Sequence, residues 1–336
     1  MYSYLGMFII SFLVSFLLTP VIVFLAMRNE VVDKPGERKV HKSVKPLIGG
    51  FAVFVSIFFS VMFFYGFSMQ LTALLMSIII IVTVGMVDDF HNMTAKPKLF
   101  GQMSAAAVLL FLSLSSFEPA LSFFDSFLGF RFLSYAAVII WIAAITNAFN
   151  LIDGLDGLAT GSAIVTGLFL AIISMIHGNH WALGITLIIL GSCFGFIPFN
   201  FQPARIFLGD TGSMLLGFSL AVIFLFNVQY YASFSVLFGG FLFFSYPVVD
   251  MIYAIVRRIK NRVPVFKADR GHIHHILLDN GFSVRQSVLT IYAGSFILGS
   301  MGILIIIFPY WYVFASILLI LSVSLFAIRR FILVSR

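Results

Sequence analysis

Four polar side chains recur at a spacing of three in the stretch NAFNLIDGLDG: Asn147, Asn150, Asp153 and Asp156. On an ideal helix each such step turns about 300°, so neighbours in the series share a face while the first and last point apart. Glycines at 154 and 157 let the chain leave the helix after the asparagines. The spacing predicts a helix end carrying the amides, then a tight turn presenting both carboxylates. The plain alternative is a polar connector between two apolar helices. Four acceptor-rich side chains at regular spacing are many for a connector.

Further groups repeat the theme. Asp88 and Asp89 end an apolar run in GMVDDFHNMTAKPK. Adjacent carboxylates repel and are costly to desolvate together, so a divalent cation, or Lys96 and Lys98, would compensate them. In NFQPARIFLGDTGS, Gly209 and Gly212 flank Asp210, and Thr211 or Ser213 can cap a following helix. The N–H groups of that helix start suit a phosphate. Asp210 would repel one directly and reads better as a ligand to a bridging metal. The stretch DRGHIHH sets His272, His274 and His275 beside Arg270. It lacks a cysteine and the i, i+4 spacing of a helical zinc motif. With Arg257, Arg258, Lys260, Arg262 and Lys267 nearby, it fits an anion clamp better. Asp250 lies two turns before Arg257 on one helical face, as a functional acid or as the partner of that arginine. His177 and His180 read as solvated, and His41 and His91 as isolated.

The elements that must position these residues are set by composition. Of 336 residues, 61% are hydrophobic and 10% charged, with mean hydropathy +1.10; a soluble domain carries about 25% charged residues. The chain reads as an all-α polytopic membrane protein, one domain over 1–336. The single cysteine, Cys193, excludes an intrachain disulfide. Apolar segments fall near 3–27, 48–67, 71–87, 99–117, 132–148, 158–177, 181–199, 213–230, 233–256, 287–308 and 313–328, about eleven spans. The first lacks the basic flank and cleavage site of a signal peptide. With the N-terminus outside, the inner connections are 28–47, 88–98, 149–157, 200–212 and 257–286, and the C-terminal tail 329–336 is cytoplasmic. These carry 6, 2, 0, 1, 7 and 3 Lys or Arg, and only Arg131 of the 20 falls outside. That bias supports the orientation, and it turns the formal charge of +7 into a topology signal rather than one for nucleic acid. Eleven of the 13 carboxylates share the inner face, which the topology rule does not require.

Five carboxylates from three inner connections need compensation, and oxygen ligands without thiolate indicate Mg²⁺ or Mn²⁺. A cation of that kind beside a basic clamp suits a phosphorylated substrate and phosphoryl transfer. No GxxxxGK[ST] loop is present. A transporter of an anionic phosphorylated metabolite is the rival class. Its polar groups would lie near the bilayer midplane, often in repeated halves, and neither pattern is evident here.

The ordered set VDDF, NAFNLIDGLDG, ARIFLGDTGS and DRGHIHH, over about residues 28–285, resembles the polyprenyl-phosphate N-acetylhexosamine-1-phosphate transferase family. Its bacterial members start O-antigen, enterobacterial common antigen and teichoic acid synthesis, and it includes the phospho-muramoyl-pentapeptide translocase. The HIHH form is similar to the UDP-GlcNAc branch. The resemblance implies a bacterial cytoplasmic-membrane enzyme that works on the cytoplasmic face. It would join a UDP-N-acetylhexosamine (GlcNAc or a related sugar) to undecaprenyl phosphate, giving undecaprenyl-diphospho-sugar and UMP. It further implies that Asp210 holds Mg²⁺ with Asp88. Asp88, Asp89, Asp153, Asp156 and His274 are then the expected catalytic set. Lys98, Asn147, Asn150, Asn200, Phe207, Arg270, His272 and His275 are the expected substrate contacts. Some members have Pro-Arg where this chain has Pro46-Leu47, and Lys45 is the basic residue available in its place. Expected partners are the two substrates, the bilayer and, as one open assembly, a second copy of the chain in a homodimer.

Overall fold

The computed structural model describes residues 3–33, 44–228, 233–265 and 271–308. The chain enters through α1 (Tyr4–Arg28), a long apolar helix whose outer face (Leu5, Leu17, Phe24) is exposed. A two-stranded antiparallel pair follows, β1 (Val32–Asp33) with β2 (Lys45–Pro46), in which Asp33 lies opposite Lys45. This pair is the one departure from all-helical structure among the described residues. Then come α2 (Gly49–Tyr65), α3 (Met69–His91), α4 (Ala95–Leu112), α5 (Leu114–Leu128), α6 (Arg131–Leu151), α7 (Leu158–Ile176) and α8 (His180–Asn200). The chain continues through α9 (Gly209–Val228), α10 (Phe234–Phe243), α11 (Ser245–Lys260), α12 (Ile273–Asp279) and α13 (Val284–Ile307).

Seven of these helices are long and apolar enough to cross a membrane, or nine if each bent pair counts as one span. The chain is a multi-span membrane protein. Among the described residues the count therefore stops at nine of the eleven expected. The segment 313–328 and the tail lie outside the described residues, and α2 is a shorter apolar helix. Two segments expected as straight spans are broken. The run 99–117 falls on α4 and α5, which meet at 103°, and 233–256 falls on α10 and α11, which meet at 82°. At the first break Ser113 turns its hydroxyl back onto the carbonyl of Leu109, and Arg131 at the start of α6 pairs with both Glu118 and Asp125 of α5. At the second, Pro247 lies in the first turn of α11 and cannot continue a helix arriving from α10.

The centre of the bundle is α9. It is apolar on all sides and packs against α2, α3, α6 and α7, and its apolar window is wholly buried. A helix hydrophobic all round must be enclosed. Its first turn is gripped at backbone distance. A Cβ at Gly85 of α3 would lie 2.5 Å from Thr211 Cα, and one at Gly50 of α2 would collide with the backbone of Gly212. Backbone hydrogen bonds from Gly49 to Phe207 and from Gly50 to Leu208 complete the joint. The first turn of α9 is therefore fixed relative to α2 and α3 by backbone packing and backbone hydrogen bonds rather than by long side chains.

Candidate functional site

The Asp210 side chain leaves that first turn. Lys98, in the first turn of α4, points its amine at Asp210 Oδ2 (2.9 Å) and at Asn150 Oδ1 (3.3 Å), and forms an ion pair with Asp88. Asn150 Nδ2 donates to Asp210 Oδ1 at 2.6 Å and to Ser213 Oγ at 3.1 Å. One lysine thus bridges carboxylates from α3 and α9, and an amide from α6 fixes the second oxygen of Asp210. Charge-assisted bonds of this kind are the strong ones.

The adjacent aspartates of α3 divide. Asp88 is buried and accepts from the Met93 N–H at 2.5 Å, besides meeting Lys98. Asp89 turns to α9, where Oδ1 accepts from the Asp210 N–H (2.7 Å) and Oδ2 from the Thr211 N–H (3.1 Å) and Thr211 hydroxyl (2.6 Å). Asp89 therefore caps α9 from a neighbouring helix, with its negative charge at the positive end of the α9 dipole.

α6 runs on to Leu151 and carries Asn147 and Asn150; the turn 152–157 then presents Asp153 and Asp156, as the spacing predicts. Gly157, at φ +80°, closes it and precedes α7. Asp156 accepts from the Ala204 N–H at 2.9 Å, tying this turn to the loop before α9. Burial, followed by the charges of Asp89 and Asp156, pushes the Asp153 carboxyl up to about 8.

These groups surround a cavity of about 720 Å³. Its walls include Asp88, Asp89, Asp153, Asp156 and Asp210, together with Lys45, Asn200, Phe207 and His275. Lys98 and Asn150 stand directly behind Asp210. Asn147 lies a turn deeper on α6 and does not line the cavity. Asn200 accepts from the Thr160 hydroxyl (2.8 Å) and donates to the Ile206 carbonyl (3.1 Å), so its amide shapes the loop under the cavity. Lys45 donates to the Ala204 carbonyl. Among the described histidines, His275 alone lines the cavity. His272 and His274 are buried behind it, and Nε2 of His274 would meet a Cβ on Gly154 at 2.6 Å. Burial and the neighbouring histidines push His274 down to about 3, which makes it a neutral ring. Arg270 lies outside the described residues.

The family profile of glycosyl transferase family 4 matches residues 71–227. The chain is 34% identical to a probable undecaprenyl-phosphate N-acetylglucosaminyl 1-phosphate transferase of Bacillus subtilis, over 86% of this chain and 81% of that protein. It is 32% identical to a decaprenyl-phosphate N-acetylglucosaminephosphotransferase of Mycobacterium tuberculosis, over 83% and 77%. The undecaprenyl-phosphate alpha-N-acetylglucosaminyl 1-phosphate transferase of Escherichia coli is 29% identical over 86% and 81%. The chain belongs to this family of polyprenyl-phosphate sugar-1-phosphate transferases.

The matched region runs from the first turn of α3 to the last turn of α9 and includes Asp88, Asp89, Asp153, Asp156 and Asp210. Several cavity residues carry no mark in the sequence. Asp33 reaches it from β1, out of a loop whose charges read as topology, and Gln202, Pro203 and Val284 complete the rim. Tyr292 of α13 donates to the Gly157 carbonyl at 2.5 Å and so supports the Asp153–Asp156 turn from behind. It sits inside an apolar run and gives no polar signal of its own. Thr211, legible as a cap, serves instead as a second donor to Asp89.

Proposed function

We propose that this transferase moves N-acetylhexosamine 1-phosphate from a UDP-sugar to undecaprenyl phosphate at the cytoplasmic face of a bacterial membrane. The observation that supports it most is the grouping of six carboxylates around one cavity, two of them, Asp88 and Asp210, paired with Lys98 behind it. In the reaction an oxygen of the lipid phosphate forms a bond to the sugar-bearing phosphorus of the donor. The diphosphate bond on the other side of that phosphorus breaks, and UMP leaves with the bridging oxygen. The lipid phosphate is largely ionised at neutral pH, so little proton removal is needed, and the work lies in positioning and in neutralising charge.

The donor set fits Mg²⁺. All its members are hard oxygens, and burial together with the charges of Asp89 and Asp156 raises the Asp153 carboxyl. Among the described residues no three acidic, His or Cys side chains form a ready ligand group. Mg²⁺ is commonly held by one or two carboxylates with water and substrate phosphates. Asp210 and Asp88 would hold it here, and it would neutralise charge on the diphosphate. Lys98 keeps these two carboxylates apart from one another's charge, Asp89 fixes the helix start that carries Asp210, and His275 contributes to the cavity lining.

The test is UMP release by purified protein given undecaprenyl phosphate, Mg²⁺ and a panel of UDP-N-acetylhexosamines, repeated with EDTA. Release with at least one donor, abolished by EDTA, is expected. No UMP with any donor, together with passage of a phosphorylated metabolite into liposomes, would overturn the assignment.

A further inference from the structure

The inward face of α11 touches the histidine segment at three points. Tyr246 places its hydroxyl 3.1 Å from His274 Nδ1. One turn on, Asp250 is fully buried; its Oδ2 lies 2.6 Å from His272 Nδ1, and its Oδ1 accepts from the Ile273 N–H at 2.7 Å. Two turns further, Arg257 donates to the Gly271 carbonyl. The carboxylate of Asp250 therefore goes to the histidine segment rather than to Arg257. Positions 246, 250 and 257 fall on one helical stripe, and they meet residues 274, 272–273 and 271 in reverse order. The opposite stripe (Val249, Ile252, Val256, Ile259) is exposed and apolar, as befits a helix facing lipid.

A buried carboxylate is costly unless its charge is met by donors, and both oxygens of Asp250 are met by this one short segment. A carboxylate on Nδ1 also fixes the tautomer and ring plane of a histidine. The fixed ring is transmitted along the segment: His272 stacks on His274 at 5.6 Å between centroids, and His274 lies 4.4 Å from His275. His275 is the member that lines the cavity.

We infer that α11 is a clamp that sets the histidine segment, and that Asp250 is a positioning residue for the transfer. It acts through His272 to present His275 to the cavity. His272 then serves through Nδ1, as an anchor. The activity arm of the test rests on the transferase reading; the spectroscopic arm needs no turnover, so the two can fail separately.

The amide nitrogen of Asn lies near the place of Nδ1, and that of Gln near Nε2. His272→Asn should therefore retain about tenfold or more kcat/KM for UDP-sugar than His272→Gln, and Asp250→Ala should lose about tenfold or more relative to the unmodified protein. In the Asp250→Ala background the difference between Asn and Gln at 272 should vanish. Higher activity for Gln than for Asn, or wild-type kinetics for Asp250→Ala, would overturn the inference. For unmodified protein in nanodiscs, ¹⁵N-histidine NMR should show a protonated Nδ1 that exchanges slowly with solvent. No such signal among the seven histidines would overturn it even if every variant failed to fold.

Discussion

The two walls of the cavity are built by different means. The carboxylate wall rests on α3 and α9, long helices joined where glycines bring backbone against backbone. The histidine wall rests on α12, seven residues long and held by side-chain hydrogen bonds from α11, which is bent away from α10. Close packing transmits any change of volume, while a hydrogen-bonded segment can shift by the length of one bond. The carboxylate wall should therefore fail abruptly and as a unit, and the histidine wall by degrees.

The sharpest way to expose that contrast is to remove the cation at the centre of the rigid wall. Lys98→Met removes the side-chain cation that Asp88 and Asp210 share. Turnover is expected to fall about 100-fold or more, measured as UMP release at saturating Mg²⁺. Retention of near-wild-type kcat would show that Lys98 is dispensable to this wall. Next comes the joint itself. Gly85→Ala should cost about 1–3 kcal/mol through overpacking against Thr211, seen as a lower melting temperature in detergent. Gly294→Ala, with open space around it, should leave melting nearly unchanged, and equal melting for the two would break the comparison.

A smaller effect is expected at the cap. Asp89→Asn keeps one acceptor for the start of α9 and loses the charge, at a cost of about 1 kcal/mol or less. Asp89→Ala loses both acceptors and should melt lower than Asp89→Asn. The same melting temperature in both variants would remove Asp89 as the cap of α9.

The smallest effect is a slope. Asp153 holds its proton in the folded enzyme up to about pH 8, and its ordinary value is 3.8. Its stabilising contribution is complete below pH 3.8 and is lost as pH rises to 8. Metal-free melting temperature should therefore decline across that window, less steeply in Asp153→Asn, and added Mg²⁺ should flatten it. Identical slopes with and without Asp153 would assign the titration elsewhere.

The rigid wall was also the legible one. The period-three series, the Asp-Gly pairs and the glycines flanking Asp210 are backbone signals, and backbone contacts hold that wall. The segment 99–117 reads as a straight span because hydropathy registers how apolar a run is and not its direction, and Ser113 gives little warning of a turn of 103°. Pro247 was a usable signal for the break between α10 and α11. The roles of Asp250, His272 and Tyr292 were hidden because each depends on a partner distant in sequence. Asp250 with His272 and Tyr292 with Gly157 are pairs that no spacing rule connects.

Enclosure of α9 has a consequence for a saturation scan of the gene. A helix that touches protein on every side has no position where side-chain size is free. α9 should appear in such a scan as an unbroken block of intolerant codons. α1, with most of its apolar window turned outward, should appear as a stripe of permissive positions recurring about every 3.6 residues.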